Sequence, residues 1–145
     1  MNIHIATDHA GLEMKNLISK YLKDKGHKVT DHGAYEYDAQ DDYPDFIFPC
    51  AVAVAEDLGS YGIILGGSGQ GEAIAANRVK GIRATVYYGG QRDIIKLSRQ
   101  HNNANILSLG ARFMKENEIY GVINTWLSEP FEGGRHQRRI DKLDG

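Results

Sequence analysis

The stretch Gly62-Ile63-Ile64-Leu65-Gly66-Gly67-Ser68-Gly69-Gln70-Gly71-Glu72 decides how the rest of the chain is read. Gly62 to Leu65 is a short apolar strand, and the glycine run that follows it leads into a helix opening near Gly71. Successive backbone N–H groups in such a turn form a nest for an anion, and the N-terminus of the helix reinforces it. A turn that merely lets strand and helix pack closely is the plain structural alternative. The nucleotide-binding versions do not fit, because no Lys-Ser/Thr pair follows the run and the G-x-G-x-x-G order is missing.

Outward from this stretch the same alternation recurs on both sides. Upstream, Ile3 to Thr7 reads as a strand, and Gly11 to Lys25 carries Leu12, Met14, Leu17, Ile18, Tyr21 and Leu22 at helical spacing before Gly26 ends the helix. Lys28-Val29-Thr30 and a helix from Pro44 to Glu56 complete that side, with proline in the first helical turn after Tyr43. Downstream come a fourth strand, Ile82 to Tyr87, a helix from Gln91 to Arg99, a fifth strand, Asn105 to Leu109, and a last helix, Glu116 to Leu127. A helix between consecutive strands makes those strands parallel, and right-handed crossovers then give an α/β fold. The expected architecture is a single-domain, doubly wound, Rossmann-like parallel sheet of about five strands with helices on both faces, spanning 1–145. Its ligands bind beyond the carboxyl ends of the strands. From about residue 130 the chain becomes a basic tail, Arg135-His136-Gln137-Arg138-Arg139.

Composition narrows the partners. The 145 residues include 17 Lys+Arg and 19 Asp+Glu, a net charge of −2, so no global positive field draws the chain to nucleic acid or to an anionic membrane. The start Met1-Asn2-Ile3-His4-Ile5 has no basic, apolar leader pattern, and the single cysteine cannot form an internal disulfide, which together predict a cytoplasmic protein. Cys50 lies among Ile47, Val52, Val54 and Ala55 and reads as a small core residue rather than a nucleophile.

Polar residues gather where a parallel sheet places its ligands. Glu72 stands in the first turn of the helix after the glycine run, where a carboxylate can take a proton from carbon beside a carbonyl or simply complement the helix dipole. Ser68 and the amides around it offer hydrogen bonds to a developing oxyanion. Asp8-His9 follows the first strand; capping explains the aspartate and leaves the histidine unexplained. Arg112 follows the fifth strand, suited to a phosphate, and Tyr43 either marks a helix start or reaches toward a substrate. His101 and Asn102 close the fourth helix, where a histidine also suits the dipole. Arg135, His136, Arg138 and Arg139 either clamp an anion or form a solvated basic face. His4, His27 and His32 read as structural or surface residues, since no carboxylate or cysteine spacing around them suggests a metal site.

Taken together, the blocks Ala6-Thr7-Asp8-His9-Ala10-Gly11, Asp41-Asp42-Tyr43-Pro44, Leu65 to Glu72, Ile74-Ala75-Ala76-Asn77-Arg78, Gly81-Ile82-Arg83-Ala84, Ser98 to Asn105 and Arg135 to Ile140 resemble the type B ribose-5-phosphate isomerase family. That family includes galactose-6-phosphate and allose-6-phosphate isomerases. One branch carries a catalytic cysteine at the position of Gly66. The branch this chain resembles has Gly-Gly-Ser-Gly-x-Gly-Glu and assigns proton abstraction to the glutamate matching Glu72. The resemblance implies a homodimeric aldose–ketose isomerase of the pentose phosphate pathway that interconverts D-ribose 5-phosphate and D-ribulose 5-phosphate through an enediolate, with no cofactor and no metal. It further implies that Ser68 and the loop residues Gly67, Gly69, Gln70 and Gly71 stabilise the enediolate, that Asp8 and His9 handle hydroxyls and phosphate, and that His101 assists ring opening. Tyr43 and Asn102 would lie beside the substrate, while Arg112, Arg135, His136 and Arg139 would bind phosphate. The active sites would sit at the subunit interface and take residues from the partner's C-terminal region. A six-carbon sugar phosphate is the rival substrate, and a catalytically silent sugar-phosphate-binding protein is the rival function.

Overall fold

Ile63 and Leu65 of the third strand turn to one side of the sheet and Ile64 to the other, and all three are fully buried. A strand apolar on both faces requires cover on both, which is the arrangement of an internal parallel strand. The computed structural model, which describes residues 1–145, has five strands, of which β1, β3 and β5 are internal: β1 (Asn2–Thr7), β2 (Lys28–Asp31), β3 (Tyr61–Gly66), β4 (Ala84–Tyr87) and β5 (Ile106–Gly110). All pairs are parallel, in the order β2-β1-β3-β5-β4. From β1 the chain steps outward to β2 and then crosses back to β3 on the other side of β1. The connections leaving β1 and β3 therefore diverge, and a crevice opens between the carboxyl ends of these two strands.

Helices α1 (Leu12–Asp24), α4 (Asp93–Asn102) and α5 (Glu116–Ser128) cover one face, and α2 (Pro44–Glu56) and α3 (Gln70–Ala76) the other. The first layer is built from large residues, Ile18, Leu22, Ile95, Ile119, Ile123 and Trp126, packed on Ile3, Ile5, Ile63, Leu65, Leu107 and Leu109. The second uses small ones, Cys50, Ala51, Ala73, Ala75 and Ala76, around Ile47, Ile64 and Ile106. Cys50 is buried there, and burial pushes its thiol far above the ordinary range, so it behaves as the expected core residue. No helix is long and apolar enough to cross a membrane.

Beyond shifts of one or two residues at element ends, three differences from the sequence reading stand out. Ile82 and Arg83 precede β4 rather than belonging to it, because Ile82 N–H donates to Val79 C=O in a turn and Ile82 reaches the core from there. Helix α4 runs past Arg99 to Asn102 and is closed by Asn103 in the left-handed conformation at φ 44°. The helix α5 is not the last. The basic tail forms a sixth helix, α6 (Arg135–Ile140), which lies against α4 and is tied down by Glu132 N–H donating to Gln100 C=O at 3.1 Å.

Candidate active site

Strand β1 ends at Thr7, and Gly11 begins the return: a Cβ on Gly11 would strike the Thr7 side chain and Leu65. This close approach brings the turn after β1 against the end of β3. Asp8 is buried, and its Oδ1 accepts from Ala10 N–H at 2.9 Å, capping the single 3₁₀ turn His9–Gly11. The capping reading is therefore correct for one carboxylate oxygen.

The glycine loop after β3 is held from beneath. Arg112 N–H donates to Gly67 C=O at 3.0 Å, and the buried Ser108 hydroxyl donates to Gly69 C=O at 2.6 Å. Gly69 takes a φ of 79°, which only glycine adopts freely, and starts α3. Ser68 Oγ accepts from Gln70 N–H at 3.3 Å. Arg112 lies across the loop, since a Cβ on Gly67 would come within 3.0 Å of its guanidinium, and the Tyr43 ring packs against Gly71.

Glu72 does not extend into solvent as a dipole partner would. Its carboxylate folds back over the end of β3 and occupies the place where a Cβ on Gly66 would be. The residue is 4% exposed, and its pKa is raised, chiefly by burial. A hydrogen bond from its own backbone N–H opposes that rise, and the nearby charge of Asp8 adds to it. Desolvation thus outweighs the helix N-terminus, and the group is tuned toward a stronger base than a surface carboxylate.

Beside these residues lies a crevice of about 540 Å³ lined by His9, Leu12, Glu13, Asn16, Tyr37 and Arg112, among others. His9 Nδ1–H donates to Asp41 Oδ1 at 2.6 Å. This bond is the main cause of a raised His9 pKa, which burial and Arg112 oppose. Asp41 was visible in the sequence only as part of the Asp41-Asp42-Tyr43-Pro44 block, and nothing in its spacing links it to residue 9.

His101, Asn102, His136 and Arg139 form a second group, lining a pocket of about 270 Å³ with Ile140 and Leu143. The His101 and His136 rings stack at 4.4 Å and 12°, and Glu132 Oε1 stands 3.7 Å and 3.6 Å from their Nε2 atoms. His136 is 7% exposed, its Nε2 has no hydrogen-bond partner, and its pKa is lowered, first by burial and then by the neighbouring charges of His101 and Arg135. Arg135 is exposed at the start of α6. The group rests on Arg99, which sequence reasoning passed over. Its buried guanidinium donates to Asn103 Oδ1 at 2.9 Å, Ala104 C=O at 2.7 Å and the Tyr61 hydroxyl at 3.1 Å, fixing the end of α4.

The two groups do not meet within one chain. Asn102 lies just before β5 and Arg112 just after it, and the five residues of β5 span about 16 Å. One end of the sheet thus holds Asp8, His9, Tyr43, the glycine loop, Glu72 and Arg112, and the other holds His101, Asn102, His136 and Arg139, with Arg135 beside them. None of Arg112, Arg135 and Arg139 is in an ion pair, so these guanidinium groups are available to an anion. Asp8, His9 and Asp41, and separately His101, Glu132 and His136, bring three potential ligand atoms within 4.8 Å. In the first set His9 Nδ1 and one oxygen each of Asp8 and Asp41 are already engaged, in the Asp41 hydrogen bond and the cap. In the second, two parallel stacked rings cannot both hold one ion in their ring planes.

A model of the Ribose/Galactose Isomerase family matches residues 3–143. The chain is 46% identical over 143 residues to the probable ribose-5-phosphate isomerase B of Mycoplasma genitalium, covering 98% of this chain and 93% of that one. It is 43% identical over 144 residues to ribose-5-phosphate isomerase B of Mycobacterium tuberculosis, covering 99% and 88%. The fold superposes on a crystal structure of ribose-5-phosphate isomerase B from Mycoplasma genitalium with bound ribulose-5-phosphate at a TM-score of 0.93, with 45% identity and coverage of 98% and 93%. A ribose 5-phosphate isomerase from Thermotoga maritima gives 0.92, with 43% identity and coverage of 99% and 97%. The chain belongs to the ribose/galactose isomerase family.

Proposed function

We propose that this chain interconverts D-ribose 5-phosphate and D-ribulose 5-phosphate in the cytoplasm through an enediolate, with Glu72 as the base. The observation that carries this reading is the buried Glu72 carboxylate seated over Gly66 at the mouth of the glycine loop. Any side chain at position 66 would fill the same place, so a thiol at 66 and a carboxylate at 72 are alternative occupants of one position. That supports assignment to the glutamate branch.

With the open-chain aldose in the crevice, Glu72 takes the proton from C2, the C2–H electrons form the C1–C2 double bond, and the carbonyl electrons move onto O1. Ser68 and the amides of Gly67, Gly69, Gln70 and Gly71 donate to the oxygen on which charge builds. One such donor contributes about 3–4 kcal/mol to the transition state in a water-poor site. The proton on O2 moves to O1 or its hydrogen-bond partner, C2 becomes the ketone, and Glu72 returns its proton to C1. Arg112 and His9 hold the phosphate, with Asp8 and Tyr43 at the hydroxyls.

The ring-opening acid–base group is His101, supplied by a second copy of the chain. The separation of the two residue groups across the sheet, together with the unpaired Arg135 and Arg139, supports a two-fold homodimer. In it the tail of each subunit, with Asn102 and His136, closes over the glycine loop of the other. A lone chain holds two half-sites. The test is turnover of ribose 5-phosphate to ribulose 5-phosphate, compared with allose 6-phosphate and galactose 6-phosphate. A higher kcat/KM for ribose 5-phosphate is expected, and a clear preference for either hexose phosphate overturns the substrate assignment.

A further inference from the structure

Asp41 lies in the loop between β2 and α2, and its carboxylate is turned inward. The side chain is 8% exposed, and its Oδ2 is buried without any hydrogen-bond partner. Oδ1 takes two donors from one residue, the His9 ring Nδ1–H at 2.6 Å and the His9 backbone N–H at 3.3 Å. The loop holds the carboxylate in place: Asp41 N–H donates to Asp38 C=O at 3.0 Å, and Asp38 Oδ1 accepts from Gln40 N–H at 2.9 Å. Tyr37, from the same loop, stands T-shaped to the imidazole at 5.7 Å.

A buried carboxylate with one oxygen unpartnered is costly unless a cation compensates it. The nearest cationic candidate on the other oxygen is His9. We propose that Asp41 is a positioning residue that holds His9 as an imidazolium, with Nδ1–H spent on Asp41 and Nε2–H left for the crevice, and so sets the affinity for the substrate phosphate. The inference rests on the reading of the His9 and Arg112 crevice as the phosphate end of the site.

The charged groups around His9 are Asp41 and Asp8, which favour its protonated form, Arg112, which opposes it, and Glu13 on the crevice wall. The hydrogen bond to Asp41 is the largest influence, and the His9 pKa lies above the ordinary 6.5. Within one chain, Arg112 offers one fixed cation to a phosphate dianion. A protonated His9 supplies a second charge-assisted donor on the wall of the same crevice.

The experiment uses the full chain, wild type and Asp41→Asn. It combines an NMR titration of the His9 ring, assigned by its loss in His9→Gln, the pH profiles of kcat and KM for ribose 5-phosphate, and calorimetric titration with inorganic phosphate. In wild type His9 titrates above 6.5, and KM rises as pH climbs through that value. In Asp41→Asn the His9 titration moves to lower pH. KM above neutrality then increases about tenfold per unit of that shift, while kcat stays within about threefold. The two proteins converge at pH values below both His9 titrations, and phosphate binding follows the KM pattern. Asp41→Glu, which keeps the charge, restores part of the shift.

A wild-type His9 titrating at or below 6.5 overturns the proposal whether or not the variants fold. So does a folded Asp41→Asn protein with an unmoved KM profile, or one that loses kcat alone. If wild type turns over no sugar phosphate, the isomerase reading fails, and the His9 titration and phosphate binding still decide the role of Asp41.

Discussion

Replacing Gly66 by Ala isolates the arrangement on which the mechanism depends. Gly66 is the last residue of β3 and has no left-handed φ, so alanine suits its backbone. The added Cβ would land on the Glu72 carboxylate. Two nonbonded heavy atoms cannot share that space, and the Glu72 side chain, attached to the first turn of α3, has to swing outward. Overpacking of this size costs about 1–3 kcal/mol, and part of that is offset because the displaced carboxylate regains water. The folded protein therefore survives. Removal of a positioned general base lowers kcat by about 10²- to 10⁴-fold, equivalent to about 2.7–5.4 kcal/mol. The assay is ribose 5-phosphate turnover at saturating substrate, alongside urea unfolding followed by circular dichroism, for Gly66→Ala, Glu72→Ala and the double variant. Once Glu72→Ala has removed the colliding group, Gly66→Ala should lower the rate by less than about threefold more. Full activity in Gly66→Ala, or an equal loss in both backgrounds, refutes the reasoning.

Three further outcomes follow from the same geometry. Glu72→Gln and His101→Asn are each inactive, yet random remixing puts one intact Glu72–His101 site in each mixed dimer and restores about a quarter of wild-type activity; no recovery contradicts a shared site. Burial raises the Glu72 pKa above its unfolded value, so the stability contributed by the protonated form is complete below the ordinary 4.5 and is lost as pH rises through the raised value. Glu72→Gln cannot ionise and is expected to gain stability over wild type as the pH goes from about 4 to about 7, measured as the difference in Tm. Trp126→Ala, which empties the centre of the larger apolar layer, is expected to lose about 3–5 kcal/mol by urea unfolding.

The sheet was legible because its central strands are apolar on both faces. Ile63-Ile64-Leu65 and Ile106-Leu107 cannot be half-solvated strands, and helical spacing between them leaves a parallel sheet as the solution. The glycine loop was legible because a run of glycines after a buried strand marks a close backbone approach. What the pattern hid is what depends on long-range contact. Helix α6 has only six residues, too few for a periodic signal, and is held by α4. Lys15 sits in a helix as an ordinary polar residue, yet its Nζ is buried on Asp31 and Ala34 C=O. The His9–Asp41 pair spans 32 residues of sequence, and no local rule connects them. The competition between helix dipole and desolvation at Glu72 was open in one dimension, and the missing Cβ of Gly66 decides it by letting the carboxylate fold inward.

The mechanism turns on Glu72 moving the C2 proton. The direct measurement is turnover of ribose 5-phosphate together with exchange of its C2 hydrogen into deuterated solvent, for wild type and for Glu72→Gln matched in Tm. Wild type is expected to do both, and Glu72→Gln to lose both by about 10²- to 10⁴-fold. A Glu72→Gln protein that retains either at the wild-type rate contradicts it.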